Sequence, residues 1–210
     1  YEELRSTPRP GHADFVLHKK FNGFNDYRGG GHSSGRLTLT LVAAGVIAKK
    51  ILPPISVQAS LMEAGGNTNI EQAIQKAVDD QDSIGGIVTC RVTGLPVGLG
   101  APFFDSVESV ISHIIFAVPA IKGIEFGSGF GATRMTGSEH NDAIIDAQGS
   151  TKTKHAGGIN VGITNGNELY FRVAVKPTSS TPKEQHTWNE QTHSVQPFQV
   201  KGRHDLCIAL

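Results

Sequence analysis

The segment Arg28-Gly-Gly-Gly-His-Ser-Ser-Gly-Arg36 combines a flexible backbone with hydroxyl groups and two cationic side chains. Three consecutive glycines allow a backbone to curl closely around a ligand. An apolar-periodic helix is predicted to follow, and the unpaired N–H groups and positive dipole end of a helix N-terminus attract anions. The segment therefore predicts a site for phosphate or another oxyanion. It lacks the ending of a Walker A loop, which argues against a nucleotide triphosphatase, and an ordinary glycine-serine helix entry is the alternative.

Two further segments invite a cofactor or metal interpretation. Gly127-Ser-Gly-Phe-Gly131 resembles a dinucleotide-binding turn, but its third glycine comes one residue early and no convincing helix follows, so a turn between strands is favoured. Glu139-His-Asn-Asp142 offers oxygen and nitrogen ligands, but no second histidine follows at helical spacing. A surface turn is therefore favoured there, and no metal site is predicted.

Three segments carry groups suited to proton transfer or anion binding. His12 lies in Arg9-Pro-Gly-His12, and His204 lies in Lys201-Gly-Arg-His-Asp205. Histidine and aspartate transfer protons near neutral pH when their surroundings tune them, although a surface or structural histidine is the alternative. Lys176-Pro-Thr-Ser-Ser180 offers one cation and three hydroxyls, which suits an anionic or heteroaromatic ligand, with an ordinary polar loop as its alternative.

The composition limits the partners. The 210 residues suit one globular domain, and 19 basic against 19 acidic side chains give a net charge of zero. Neither nucleic acid nor an anionic membrane is therefore expected as a partner. Two cysteines cannot build a disulfide framework, no apolar run approaches the ~20 residues of a membrane span, and the first residues do not resemble a signal peptide. A soluble, cytoplasmic protein is expected.

Periodicity and capping signals predict the elements that would position these groups. Helices are predicted over 14–21, over 36–51, from the capping box Thr68-x-x-Glu71 to Val78, and after the capping box Asp105-x-x-Glu108. Strands are predicted over 55–61, 86–93 and 118–126.

The second half of the chain is predicted to be less regular. Segments 159–164 and 169–175 are predicted to form a hairpin with Asn165-Gly166 as its turn. Residues 127–158 are predicted to be a long functional loop, and residues 176–201 an aperiodic and mobile segment. This order favours an α+β layered fold over a regular βαβ arrangement.

A series of motifs in chain order resembles the chorismate synthase family over nearly the whole sequence. The motifs are Arg9-Pro-Gly-His-Ala-Asp14, Asp26-Tyr-Arg-Gly-Gly-Gly31 with Ser33-Ser34, Ala43-Ala-Gly-Val-Ile-Ala-Lys-Lys50, Asp82-Ser-Ile-Gly-Gly86, Gly94-Leu-Pro-Val-Gly-Leu-Gly100, Pro119-Ala-Ile-Lys-Gly-Ile-Glu125, Gly137-Ser-Glu-His-Asn-Asp142, His155-Ala-Gly-Gly-Ile159, Lys176-Pro-Thr-Ser-Ser180 and Gly202-Arg-His-Asp205. Their collinearity makes the resemblance far more specific than any single motif.

The resemblance implies a lyase of the shikimate pathway. Such an enzyme converts 5-enolpyruvylshikimate 3-phosphate to chorismate by anti-1,4-elimination of phosphate and needs reduced FMN, supplied through NADPH or a separate flavin reductase. It also implies a β-α-β sandwich, with a helical core flanked by antiparallel strands, in a single domain over residues 1–210, and assembly as a homotetramer.

The resemblance assigns roles residue by residue. His12 would donate a proton toward the N1 side of the flavin, and Asp205 would help to move the substrate C6 proton, through flavin N5. Arg9, Arg36 and Arg203 would hold the anionic substrate, which suits bidentate guanidinium pairing. The flavin would be held by Ser33, Ser34, Ala120, Lys176, Pro177, Thr178, Ser179, Ser180 and Arg203.

Some features depart from the family pattern. The N-terminal Gly-Glu-Ser-His-Gly segment, whose histidine assists phosphate departure, is absent, and so is the helical segment expected after Cys207. Val161 stands where the flavin site usually has glycine. The resemblance therefore implies a domain incomplete at both ends, and a non-catalytic flavin- or anion-binding homologue or structural fragment is the alternative.

Overall fold

The structure, a computed structural model, describes residues 2–201. Its α-helices are α1 (Asp14–Lys20), α2 (Thr38–Ile51), α3 (Ile70–Asp79), α4 (Val107–Phe116) and α5 (Gly137–His140). Its strands are β1 (Ser56–Ala64), β2 (Gly86–Thr93), β3 (Ile121–Phe126), β4 (Ile159–Asn160), β5 (Ile163–Thr164), β6 (Leu169–Val175), β7 (Gln185–Asn189) and β8 (Ser194–Phe198). Short 3-10 helices cover Glu2–Arg5, Gly31–Ser33, Gly35–Leu37 and Gly129–Arg134. The mixture of helices with antiparallel strand pairs confirms the α+β class.

The principal sheet has four strands in the order β1-β2-β6-β3, and β3 pairs with β6 antiparallel. Its alternating apolar side chains build the core, because every second residue of a strand points to the same face. Leu169, Phe171 and Val173 of β6 are buried there, and Val107, Ile111 and Ile115 of α4 pack against that cluster. The strand predicted over 86–93 is confirmed as β2. The helical spacing also predicts Val110 and Ile114 on the apolar face of α4, but the structure leaves both exposed.

The described residues divide into two compact units. One unit holds residues 2–40, 63–86 and 176–201, and the other holds residues 41–62 and 87–175. The first unit contains α1, α3, β7 and β8, and the second contains α4 and most of the principal sheet. The single domain expected over residues 1–210 stays a prediction.

The predicted hairpin around Asn165-Gly166 is wrong. β4 turns back at Val161 and Gly162 to pair with β5, while β6 leaves this pair and joins β3 in the principal sheet. Val161 and Gly162 both have positive φ, 52° and 79°, as a tight two-residue hairpin turn requires. A β-branched residue is strained in that conformation, which is why the sequence does not signal the turn.

Two segments predicted to lack regular structure contain it. Residues 185–198 form the β7–β8 hairpin, whose strands alternate half-buried with mostly exposed side chains. The long loop 127–158 contains a 3-10 helix and α5, whose start is closed by a capping box between Thr136 and Glu139. Polar, solvent-facing elements of this kind carry little hydrophobic periodicity, so the sequence pattern misses them.

Helix starts differ slightly from the predicted ones. Asn69 rather than Thr68 caps α3, through the Gln72 amide, and Ser106 rather than Asp105 caps α4, through the Ser109 amide. α2 buries none of its residues. No helix within residues 2–201 is long and apolar enough to cross a bilayer.

Candidate functional site

Arg9, His12 and Asp14 form one hydrogen-bonded cluster at the start of α1. The Arg9 guanidinium makes a bidentate contact with the Asp14 carboxylate, in which Nε lies 2.7 Å from Oδ2 and Nη2 lies 2.8 Å from Oδ1. His12 Nδ1 lies 2.7 Å from the same Oδ1, and the Arg9 amide donates to Oδ2 at 3.1 Å. The side chains of Arg9 and Asp14 are only 12% and 11% exposed, so the cluster is largely withdrawn from water.

The Asp14 carboxylate is held in its ionised form. Burial on its own would raise its pKa, but the hydrogen bonds from the Arg9 guanidinium and His12 outweigh that effect and hold the pKa well below the usual range of an aspartate. Asp14 is therefore an acceptor at neutral pH and carries the negative charge that balances Arg9.

A second segment, which contains Lys176 and Ser179, forms a hydrogen bond with the backbone next to His12. Lys176 Nζ donates to Ser179 Oγ at 2.7 Å, and Ser179 Oγ donates in turn to the carbonyl oxygen of Gly11 at 2.7 Å. Gly11 has a φ of 66°, which lets its carbonyl meet the hydroxyl. The predicted flavin loop and the predicted catalytic histidine are thus joined through adjacent residues.

A third motif, Asp82-Ser83, forms a hydrogen bond with the backbone of the loop that contains Ser179. Ser83 Oγ donates to the carbonyl oxygen of Thr178 at 2.7 Å. Asp82 pairs with Lys183 at 3.1 Å, and the pKa of Asp82 is lowered by the Ser83 amide first and by Lys183 further. Segments 9–14, 82–83 and 176–183, far apart in sequence, therefore meet in one unit.

The β7–β8 hairpin holds the chain that leads into Arg9. Asn189 Nδ2 donates to the buried Thr7 hydroxyl at 2.8 Å, and Thr187 Oγ1 donates to the carbonyl oxygen of Pro8, also at 2.8 Å. These two bonds hold the Thr7 side chain and the Pro8 backbone, two residues and one residue before Arg9.

The oxyanion site predicted at residues 28–36 has a different local structure from the expected one. Two 3-10 helices intervene before α2 begins at Thr38, and Ser34 caps the second of them by accepting from the Arg36 amide. Ser33 and the Arg36 side chain are exposed. Within residues 2–201, no hydrogen bond of Ser33, Ser34 or Arg36 reaches the Arg9–His12–Asp14 cluster.

The remaining predicted site residues belong to the other compact unit, to the part of the chain outside the described residues, or to the 176–183 loop. Ala120 lies in the second compact unit, just before β3, with a φ of 73°. Arg203 and Asp205 lie outside the described residues, as does His204. Pro177 and Ser180 belong to the 176–183 loop already described, where the Pro177 carbonyl accepts from Lys176 Nζ at 3.1 Å.

The segments 127–131 and 139–142, which were weighed as cofactor and metal sites, have structural roles. Gly127 and Gly129 have positive φ, and a Cβ on Gly127 would collide with the His155 carbonyl, so these glycines serve chain packing beside β3. Asp142 accepts from the Thr153 hydroxyl and from the amides of His155 and Ala156, which closes a loop. Among the described residues, no group of three metal-ligating side chains comes together.

A cavity of about 320 Å³ adjoins the cluster, with Arg5, Asp14, His18, Tyr27 and Glu190 among its lining residues. Neither His12 nor Ser179 lines it. The cavity therefore does not mark the predicted flavin position, and the hydrogen-bonded cluster is the better guide to the chemistry.

Asp14, Ser83 and Thr7 hold the site but were not predicted as site residues. A local signal existed for Asp14, because a carboxylate two residues after a histidine can reach its ring. Ser83 and Thr7 act through partners 95 and 182 positions away, and no local pattern reports such contacts.

The fold and the cluster define a mixed α+β protein with a partly buried His–carboxylate–guanidinium group. A profile of the chorismate synthase family matches residues 1–210. The chain is 69% identical to the chorismate synthase of Chitinophaga pinensis, over all of the chain and 64% of that protein. It is 44% identical to the chorismate synthase of Dehalococcoides mccartyi, over 99% of the chain and 66% of that protein.

A solved structure described as a crystal structure of chorismate synthase superposes with a TM-score of 0.71 at 25% identity, over 79% of this chain and 62% of that one. The chain belongs to the chorismate synthase family. It spans just under two thirds of the length of these curated relatives.

Proposed function

We propose that the protein carrying this chain is a chorismate synthase. It would eliminate phosphate from 5-enolpyruvylshikimate 3-phosphate in the anti-1,4 sense to give chorismate, the last step of the shikimate pathway. Membership of the family supports this proposal, because relatives at 69% and 44% identity are named for that activity.

The observation that carries the proposal is the meeting of three separated motifs in one cluster. Segments 9–14, 82–83 and 176–180 are joined by the Ser179–Gly11 and Ser83–Thr178 hydrogen bonds. Such a cluster places a histidine, an arginine and a lysine beside hydroxyl groups, which is the donor set that an anionic cofactor and an anionic substrate require.

The residues present fit the reduced FMN that the family implies. The Lys176 ammonium and the hydroxyls of Thr178 and Ser180 are donors suited to phosphate and to the anionic reduced ring, while Ser179, whose proton goes to the Gly11 carbonyl, would hold the loop in place. Together with Ser33, Ser34, Ala120 and Arg203 they are the residues that would hold it. When bound, reduced FMN supplies transient electron transfer to the substrate without net redox change.

The chain's own groups have separate tasks in this scheme. His12 would present a proton donor to the flavin, steadied by Asp14. Arg9 spends two of its five N–H donors on the Asp14 oxygens, and the remaining donors would hold a substrate anion. Arg36 and Arg203 would complete the substrate site, and Asp205 would assist removal of the substrate proton.

Several finer features of the family belong to the same proposal. They are the β-α-β sandwich with a helical core, the homotetramer, and flavin reduction by NADPH or by a separate reductase. The cytoplasmic location stays a prediction from the sequence composition.

The test is an anaerobic assay with 5-enolpyruvylshikimate 3-phosphate and photoreduced FMN, in which chorismate and phosphate are both quantified. We expect equal amounts of the two products, and no turnover with oxidised FMN. Binding of FMN without any chorismate would instead favour the non-catalytic homologue and contradict the proposal.

A further inference from the structure

One carboxylate, that of Asp14, organises both functional side chains around it. Its Oδ1 lies 2.7 Å from His12 Nδ1 and 2.8 Å from Arg9 Nη2, and its Oδ2 lies 2.7 Å from Arg9 Nε. The His12 side chain is 23% exposed and that of Asp14 is 11% exposed, so water competes weakly for these bonds. The position and orientation of the imidazole are therefore set by Asp14.

The same geometry decides which ring nitrogen carries the proton. Asp14 is ionised and can only accept, so the short contact to His12 requires a proton on Nδ1. Arg9 Nη2 also lies 3.1 Å from Nδ1, and a guanidinium can only donate. These two facts are consistent only if Nδ1–H donates to Asp14 and the Arg9 contact is a close approach rather than a hydrogen bond.

We propose that Asp14 is a positioning residue, which fixes neutral His12 as the Nδ1–H tautomer and leaves Nε2 as the nitrogen that takes up a proton and passes it to the ligand. Its significance for turnover rests on the proposed function. Second partners of a functional histidine act in this way because they hold the ring and select its tautomer.

The backbone on the other side of His12 is fixed independently. Ser179 Oγ holds the Gly11 carbonyl, one residue before the histidine, and the Lys176 ammonium holds Ser179. The backbone and the ring of His12 thus have different anchors. Removing Asp14 should release the ring while leaving the Gly11 anchor in place.

Asp14→Asn is an informative variant because an amide cannot serve all of the partners. With its oxygen in the Oδ2 position, it still accepts from the amide and Nε of Arg9, and its NH2 group then faces His12 Nδ1 and only one Arg9 donor, Nη2. The opposite orientation would set the NH2 group against two donors of Arg9. The first orientation is therefore favoured, and it requires an unprotonated Nδ1.

The test is long-range ¹H–¹⁵N NMR of the folded protein with ¹⁵N-labelled histidine. Nine histidines contribute signals, and the His12 signal is assigned by its loss in His12→Gln. We expect Nδ1–H in the wild type, a reversal to Nε2–H in Asp14→Asn, and no change in Asp80→Asn, which removes an exposed ion pair with Lys76. A wild-type ring protonated on Nε2 and not on Nδ1 would overturn the proposal without any variant having to fold.

Turnover supplies the second measurement. If the tautomer matters for the reaction, kcat for chorismate formation should fall at least about tenfold in Asp14→Asn, with a smaller change in KM. A reversed tautomer with unchanged kcat would overturn the positioning role. Failure of the wild type to make chorismate would count against the proposed function, and the NMR result would still decide the arrangement of the ring.

Discussion

Ser179 Oγ donates a 2.7 Å hydrogen bond to the carbonyl oxygen of Gly11 across 168 positions of sequence. The bond ties the predicted flavin loop to the residue before His12. Because Lys176 donates to the same hydroxyl at 2.7 Å, the Ser179 proton is directed to the carbonyl. Ser179 therefore links the predicted flavin loop to the backbone that precedes the histidine.

Ser179→Ala should weaken FMN binding as well as the fold. The hydrogen bond that holds the 176–180 loop against Gly11 is worth about 1 kcal/mol. Because FMN binding would require the loop in that position, its loss corresponds to roughly a fivefold weaker affinity. Titration with reduced FMN, followed by calorimetry, measures the effect. Ser56→Ala, on the exposed start of β1, is the matched control and should leave the affinity unchanged. Equal affinities for Ser179→Ala and the wild type would remove Ser179 from this role.

Asp14 should make stability depend on pH in the acid range. Its folded pKa lies below its unfolded value of about 4, so its stabilising contribution is fully present above that value and is lost as the pH falls toward the folded pKa. The difference in urea midpoint between the wild type and Asp14→Asn should be constant from pH 7 to 5 and shrink below about pH 4. A difference that stays constant down to pH 2.5 would show that the carboxylate charge contributes nothing.

Val161 and Gly162 should respond in opposite directions to substitution. Val161 is 81% exposed and has a φ of 52°, so Val161→Gly relieves strain and should stabilise the protein by roughly 0.5–1 kcal/mol after the entropic cost of glycine. Gly162→Ala places a Cβ 2.6 Å from Ser106 Cβ and should destabilise it. Thermal unfolding measures both, and destabilisation by Val161→Gly would show that the turn is not strained.

Elements with buried faces could be predicted from the sequence. β2 matches its predicted bounds, and Val107, Ile111 and Ile115 pack where their helical spacing predicts, because both patterns record contact with the core. β7 and β8 could not be predicted in this way. These strands are held by hydrogen bonds to segments such as Thr7 and Pro8, and such bonds produce no periodic pattern of apolar residues in the sequence.

The motif resemblance names candidate residues for the site but not the hydrogen bonds between their segments. Motif resemblance placed His12, Arg9 and the 176–180 loop in one site, and the structure joins these segments through Ser179 and Ser83. The role of Asp14 depends on distances within a folded cluster. The oxyanion site at 28–36 was predicted from its glycine and serine content. That composition does not reveal that a 3-10 helix separates Ser34 from α2.

The most direct test of the account is the rate of chorismate formation by His12→Ala with reduced FMN under anaerobic conditions. His186→Ala, which changes an exposed histidine on β7, is the matched control. We predict that His12→Ala loses about 10²–10⁴-fold in kcat while His186→Ala keeps the wild-type rate. A wild-type rate in His12→Ala would contradict the central claim that the cluster around His12 carries the chemistry.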